Sequence, residues 1–293
     1  MPNLKEVRNR IQSVNSTRQI TSAMKMVSAA KLKRAQDAII KLRPYSAKLT
    51  DIMNNLSGNL DEVGGAYAEK RDAKRILIVA INSNRGLCGG FNANVIKATN
   101  RLIREEFADA SEVKILSIGK KAFDTFKRTD YHISEGELSG EFYSVYDDLN
   151  YENVSAISEK ILKEFEKKNF DRVILVYNQF KNAATQIIQT EQLLPIEMSA
   201  EEDQSNNIDF LFEPDKAEII TALLPKALKN QIYKAVLDSN ASEHGARMTA
   251  MHKATDNASD LLHQLKLSYN KARQAAITTE ILEIVAGAEA LDG

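Results

Sequence analysis

A glycine-rich turn is the first place to look for chemistry in this chain. Ser83-Asn-Arg-Gly-Leu-Cys-Gly-Gly-Phe-Asn92 follows a β-rich run and opens onto a helical pattern. In that setting backbone N–H groups at a helix N-terminus can cradle a phosphate. The match stops there, because there is no G-x-G-x-x-G and no Gly-Lys-Ser/Thr closing a P-loop. A tight structural turn is the favoured reading. His132, His244, His252 and His263 are scattered, and no pair has metal-ligand spacing beside a thiol or carboxylate. Cys88, the single cysteine, fits a reducing compartment and reads as a small packed residue rather than a nucleophile. With no Ser/His/Asp or paired-carboxylate set in view, no catalytic residue, metal site or cofactor is expected.

Charge offers binding rather than catalysis. Residues 1–43 carry Lys5, Arg8, Arg10, Arg18, Lys25, Lys31, Lys33, Arg34, Lys41 and Arg43 against only Glu6 and Asp37, although the whole chain has a net charge of -1. A basic helix can meet nucleic acid, an anionic membrane surface or acidic protein loops. Stacking aromatics are missing from the tract, which argues against single-stranded nucleic acid. An acidic protein partner is expected, with a solvated helix face as the plainer alternative.

The elements that position these residues are legible from what the two chain ends lack. From Asn3 to Ser57 there is no glycine and one proline, Pro44. From Lys226 to Gly293 there is no proline, and the glycines are Gly245 and Gly287. Such tracts read as two long helices, the second roughly 100 Å at about 1.5 Å per residue. Leu32, Ala35, Ile39, Leu42, Leu49, Met53 and Leu56 step three-four with Ser46 in the one polar slot, a heptad seam. Leu4, Val7, Ile11 and Val14 begin a similar seam that breaks at Arg18 and resumes displaced at Ile20, Met24 and Val27. Pro44 kinks this helix or ends its first stretch.

At the other end Met248, Met251, Thr255, Ala258, Leu262, Leu265, Tyr269, Ala272 and Ala276 form a seam; Ile277, Ile281, Ile284, Ala288 and Leu291 continue it offset by one. Each tract is expected to pair with the other, antiparallel.

The middle differs. Arg75–Ile81, Val113–Ile118 and Arg172–Tyr177 are short, nearly continuous apolar runs, as in strands covered on both faces of a mainly parallel sheet. Helical patterns at Ala93–Phe107, Lys120–Lys127 and Asn153–Lys168 alternate with them. Ala184–Leu194 and Ile208–Phe212 read as later strands, Gly58–Asp72 as a linker and Glu197–Asn207 as an acidic loop. The expected fold class is α/β with long helices: an antiparallel coiled coil of N- and C-terminal helices plus a Rossmann-like α/β domain. Its divisions are 1–57 for the first long helix, 58–73 for the linker, 74–213 for the domain and 214–293 for the last helix. No apolar run approaches the ~20 residues of a membrane span, so any membrane association comes through partners.

The C-terminal tract Tyr269-Asn-Lys-Ala-Arg-Gln-Ala-Ala276 and Ile277-Thr-Thr-Glu-Ile-Leu-Glu-Ile-Val-Ala-Gly-Ala288 closely resembles the signature of the gamma subunits of F-type ATP synthases. Leu4–Ile11, Thr17–Val27 (TRQITSAMKMV) and Ala29–Gln36 (AAKLKRAQ) resemble that family's N-terminal helix, and Arg85–Gly90 and Ala246–Asn257 fit as well, in the family's order over the whole chain.

The resemblance implies a non-catalytic central rotor shaft. Its terminal helices would stand inside a ring of three alpha and three beta subunits, with its α/β domain near epsilon and the membrane c-ring. It implies that Arg273, Gln274 and Thr278 contact a beta-subunit catch loop, that Glu280 and Glu283 pair with cationic groups of the ring, and that Met24 lies near a beta-subunit lever. Arg8, Arg10, Lys31 and Lys33 would present positive charge to acidic lever loops, an expectation that charge supports independently. Seam packing or a surface position is the alternative for each. The polar span at Arg18 would be the part that slides in its sleeve. The inserted dithiol of photosynthetic members is missing here, and a place on the cytoplasmic face of a bacterial inner membrane is expected. Two other readings are a free-standing coiled-coil scaffold and a nucleotide-binding enzyme using the Arg85–Gly90 turn. The interrupted seam disfavours the first, and the absent phosphate lysine the second.

Overall fold

In the computed structural model, residues 4–56, 65–69, 71–196 and 216–292 are described, with side chains at 47, 50–56, 216–217 and 289–292 left aside. Helix α1 runs Leu4–Leu56. A 3-10 turn at Gly65–Tyr67 precedes β1, Arg75–Ile81. Then come α2 (Phe91–Arg101, closed by a π-turn at Leu102–Glu106), β2 (Glu112–Ile118) and α3 (Lys120–Phe126). A 3-10 turn at Phe142–Tyr146 leads to α4 (Tyr151–Glu166), β3 (Arg172–Phe180), β4 (Gln186–Leu194) and α5 (Lys216–Asp292). The expected acidic loop, the strand at Ile208–Phe212 and most of the linker lie outside the described residues, as do the side chains of Met53, Leu56 and Leu291.

The sheet has the order β2-β1-β3-β4, with β1 parallel to β2 and β3, and β4 antiparallel to β3. Period-two alternation explains why the runs are apolar throughout. Leu77, Val79 and Ile81 face a core completed by Ile157, Ile161 and Phe165 of α4 and by Ile220, Leu224, Leu228 and Ile232 of α5. Ile76, Ile78 and Ala80 face Val95 of α2 and Ala122 and Phe126 of α3. The first part of α5 is thus one of the sheet's covering helices. Neither Pro44 nor Pro225 ends its helix.

The chain divides into two compact units, residues 1–28 with 248–293, and residues 29–247. In the second unit Leu32, Ala35, Ile39 and Leu49 are buried as the seam requires. Its polar slot is matched, since Asn230 donates from Nδ2 to Ser46 Oγ at 2.8 Å.

The seam at Ile20, Met24 and Val27 requires correction. Ile20 is 59% and Val27 57% exposed, while Thr21 and Ser28 are buried. The three-four rhythm continues in phase from Val14 through Arg18, Thr21, Lys25 and Ser28 to Leu32, carried by polar residues. Their hydroxyls need no partner helix. Thr21 Oγ1 donates to Arg18 O at 3.0 Å and Ser28 Oγ to Met24 O at 2.7 Å, so seam burial leaves neither hydroxyl unbonded.

Candidate partner-binding surface

Within the first unit α1 and α5 run antiparallel. Arg8 donates from Nη2 to Tyr269 Oη at 2.8 Å, Thr255 donates from Oγ1 to Thr21 Oγ1 at 2.9 Å, and Lys25 Nζ lies 3.5 Å from His252 Nδ1. Arg8 also stacks its guanidinium 5.8 Å from the Tyr269 ring centroid. On the α5 side Met251, Ala258 and Leu262 are buried, and Met248, Thr255, Leu265, Tyr269, Ala272 and Ala276 are half-buried, which fits the seam.

That register decides what becomes of the C-terminal signature. With Arg8 opposite Tyr269, the N-terminal residues of α1 are used up a few positions further along α5. Among the described residues the offset seam therefore has no partner helix within the unit. Ile277 is 43%, Ile281 55% and Ile284 71% exposed, and Ala288 is exposed too. The expected burial of this stripe does not occur in the free chain.

Arg273, Gln274, Thr278, Glu280 and Glu283 all sit exposed on this stretch. Helical spacing sets Arg273, Ile277, Glu280 and Ile284 along one face, and Gln274, Thr278, Ile281 and Val285 along the next. Thr278 Oγ1 donates to Gln274 O at 2.9 Å, so its hydroxyl is already bonded. The result is an aliphatic stripe edged with hydrogen-bonding and charged groups, the composition of a protein-binding surface rather than of a solvated helix end.

Of the remaining expected contacts, Arg10 is exposed and Met24 half-buried beside the seam. Lys31 and Lys33, in the second unit, are exposed, and Lys33 is held 2.9 Å from Asp37.

Sequence reasoning did not single out the groove on one side of this helix pair. It encloses about 430 Å³ and has Arg8, Arg18, His263 and Lys266 over a floor of Ile11 and Leu262. Among the described residues no carboxylate lines it. The signal was available in the helical spacing of Arg8, Arg18, His263 and Lys266, but only pairing reveals that two helices contribute to one hollow.

In the second unit the glycine-rich turn spends its polar groups internally. Ser83 accepts from Asn92 Nδ2 at 2.8 Å and donates from Oγ to Arg85 O at 2.7 Å; Ser83 N donates to Asn92 Oδ1 at 3.0 Å. Cys88 is buried with Phe91 and Ala246. Arg247 of α5 donates from Nη2 to Arg85 O at 3.1 Å and Gly86 O at 3.3 Å, and from Nη1 to Glu243. Burial pushes the Glu243 carboxyl above its usual range, and the adjacent Arg247 opposes that rise.

Doubly wound sheets bind ligands at the carboxyl ends of strands where the strand order reverses, here between β1 and β3. That crevice is filled by α5: Ser239 Oγ donates to Ile81 O at 3.5 Å. Gly245 passes so close that a Cβ there would lie 3.2 Å from Ala183 Cα. The turn is a structural clasp on the long helix.

Comparison with known proteins agrees with this arrangement. A family model described as ATP synthase matches residues 3–291. The chain is 57% identical over 294 residues to the ATP synthase gamma chain of Flavobacterium johnsoniae and 56% over 295 residues to that of Christiangramia forsetii, covering all of each. In fold it is similar to a chain in the cryo-EM structure of Euglena gracilis mitochondrial ATP synthase, described as OSCP/F1/c-ring in rotational state 3. The TM-score there is 0.67 at 21% identity, over 98% of this chain and 94% of that one. No helix among the described residues is long and apolar enough to cross a membrane. With a family model spanning residues 3–291 and relatives matched over their whole length at 56–57% identity, this chain belongs to the ATP synthase gamma chain family.

Proposed function

We propose that the chain is the central rotating stalk of an ATP synthase, coupling ion flow through a membrane sector to synthesis or hydrolysis of ATP on neighbouring beta subunits. It has no catalytic site of its own on this reading. The observation that carries it is the bare C-terminal stripe of Ile277, Ile281 and Ile284, on a chain that matches a gamma chain over that relative's whole length. An apolar helix end with no partner among the described residues fits one supplied from outside.

Residues 1–57 and 214–293 form the shaft helices, whose terminal parts stand within a ring of three alpha and three beta subunits while the first part of 214–293 also covers the sheet. Residues 74–213 form the domain that meets epsilon and the c-ring. Arg273, Gln274 and Thr278 hold a beta-subunit loop. Glu280 and Glu283 pair with ring cations, and Met24, Arg8, Arg10, Lys31 and Lys33 meet the lever. The complex lies on the cytoplasmic face of a bacterial inner membrane, which this chain reaches only through its partners. Because one shaft contacts three equivalent beta subunits differently, its angle shifts which site is open or closed, a coupling of rotation to nucleotide affinity.

The test is reconstitution with the cognate alpha and beta chains. A complex with one copy of this chain to three of each partner, turning over ATP steadily, is expected. Failure to assemble with correctly folded partners would overturn the proposal.

A further inference from the structure

We infer that the carboxyl end of β1 binds an ordered water molecule, which joins the Asn82 side chain to Ser242 of α5 by hydrogen bonds. This goes beyond the stalk reading and does not depend on it. Asn82 and Ser242 are both 0% exposed. Among the described residues, Asn82 Nδ2, Asn82 Oδ1 and Ser242 Oγ have no hydrogen-bond partner in the protein. Their polar neighbours are engaged elsewhere: Asn92 donates from Nδ2 to Ser83 Oγ, Asn178 donates from Nδ2 to Phe91 O at 3.3 Å, and Ser239 donates to Ile81 O. Buried polar groups without a partner cost stability, so folded proteins pair nearly all of them with protein or with water.

The path of the chain brings the two residues together. Helix α5 is fixed to β1 and to its following turn at two points, by Ser239 at Ile81 and by Arg247 at Arg85 and Gly86. Ser242 lies between those points, and three residues after Ser239 it shares a face of the helix with it. It therefore stands level with residues 82–84. On the sheet Ala80 is in register with Val176, and two residues further along both strands Asn82 comes beside Asn178. Asn82 and Ser242 thus line the crevice between β1 and β3, where doubly wound sheets take their ligands.

The chemistry selects the occupant. The amide NH2 needs an acceptor, the amide oxygen needs a donor, and the hydroxyl serves as either. Water offers both roles, and a buried water typically makes about three bonds, which these three atoms supply. No formal charge is left over to hold an ion, because Arg247 and Glu243 bond each other. Gly119 packs so closely on the carboxamide that a Cβ there would stand 2.2 Å from Oδ1, so the occupant is small.

Crystallography of the full chain, at a resolution that shows ordered water, tests this directly. One peak within hydrogen-bond distance of both Asn82 and Ser242 is expected. In solution the side-chain amide of Asn82, assigned by its loss in Asn82→Leu, is expected to show a direct Overhauser contact with a long-lived water. Ser242→Ala deletes one of the water's partners and is expected to raise the unfolded-to-folded ratio about tenfold in urea unfolding. A hydroxyl with no bond would give the opposite sign, because deleting a buried unpaired group stabilises. That opposite sign, or a peak touching Asn82 but not Ser242, overturns the bridge. So does a parent chain with neither peak nor Overhauser contact, a result that needs no variant to fold. A peak with the short, many-oxygen coordination of a metal cation equally overturns the assignment to water.

Discussion

Replacing Arg247 by alanine should unlatch the glycine-rich turn, and the single cysteine makes that opening measurable. Arg247 and Glu243 are each about one-tenth exposed, at 10% and 11%. Removing one partner of a buried, hydrogen-bonded ion pair costs about 3–5 kcal/mol, mostly because the other charge is left uncompensated. Here two carbonyls, Arg85 O and Gly86 O, lose their donor as well. Cys88 is only 1% exposed beneath that turn, so a thiol reagent reaches it through local opening. If about 3 kcal/mol of the cost falls on the closed turn, labelling of Cys88 accelerates roughly 150-fold, at 1.4 kcal/mol per factor of ten.

Electrostatics cannot mimic this result. Burial raises the Cys88 thiol pKa and the positive charge of Arg247 pulls it down, so losing Arg247 by itself would make the thiol less reactive. The assay is reaction with an aromatic disulfide reagent at fixed pH, compared among the parent, Arg247→Ala and the double variant Arg247→Met/Glu243→Leu. The double variant removes both charges together and should label more slowly than Arg247→Ala. A folded Arg247→Ala protein that labels within threefold of the parent would show that the clasp contributes nothing to holding the turn.

Further expectations concern pH, packing and the free helix end. Asp238 is pushed up to about 6 by burial, opposed by Lys234 and Arg43, so its contribution is full below about pH 4 and is lost as pH rises towards 6; Asp238→Asn should be more stable than the parent at pH 7 by about 2–3 kcal/mol and equal to it at pH 4, in urea unfolding. His244 is lowered to about 4 by burial and by Arg247 and Lys31, so stability falls as pH drops from 6.5 towards 4; this slope opposes that of the raised carboxyls, and His244→Gln should leave the combined slope of Asp238 and Glu243 less opposed. Gly119 has φ +129° and a Cβ there would lie 2.2 Å from Asn82 O, so Gly119→Ala should cost about 3 kcal/mol or more in the same assay. Ending the chain after Ala276 should leave the unfolding midpoint within about 0.5 kcal/mol of the parent, because Ile277, Ile281 and Ile284 are already exposed, while weakening capture by the alpha and beta chains.

The strands and their order of appearance were legible because β1 and most of β3 are buried on both faces, which writes a nearly continuous apolar run into the sequence, and β2 keeps a shorter one despite Lys114 and Ser117. Long helices were legible from missing glycine and proline. What misled was local hydrophobicity: Ile20 and Val27 are apolar but face outward, whereas Thr21 and Ser28, polar yet bonded to their own helix, hold the seam. Periodicity counts apolar residues and cannot see a hydroxyl satisfied three or four residues back. The C-terminal stripe posed the opposite difficulty, since an apolar seam looks the same whether its partner lies in cis or in trans. The register at Arg8 and Tyr269 leaves the stripe without a helix beside it among the described residues. Glu243 and Arg247, four apart, are indistinguishable in sequence from an exposed helix pair worth a few tenths of a kcal/mol; their burial against the turn makes them a clasp.

The polar seam carries a consequence for where the free chain opens. A buried leucine contributes about 1.5–3 kcal/mol, and the second unit has Leu32, Ile39 and Leu49 on its stretch of seam, opposite a helix also packed on the sheet. The first unit offers Thr21 and Ser28 at equivalent positions, with Arg18 and Lys25 between them. Along residues 18–28 the helix pair must then rest on few apolar contacts from α1, and helical propensity alone holds a long segment only marginally. Amide hydrogen exchange should therefore be at least tenfold faster at residues 18–28 and 252–259 than at residues 32–42 and 232–243 in the isolated chain. Assembly with alpha and beta chains should slow the first set much more than the second, because a sleeve supplies from outside the packing that the seam lacks. Equal protection of the two sets in the free chain would mean that the polar seam holds its helices as well as leucine does, and the first unit would then have no packing deficit for a surrounding partner to fill.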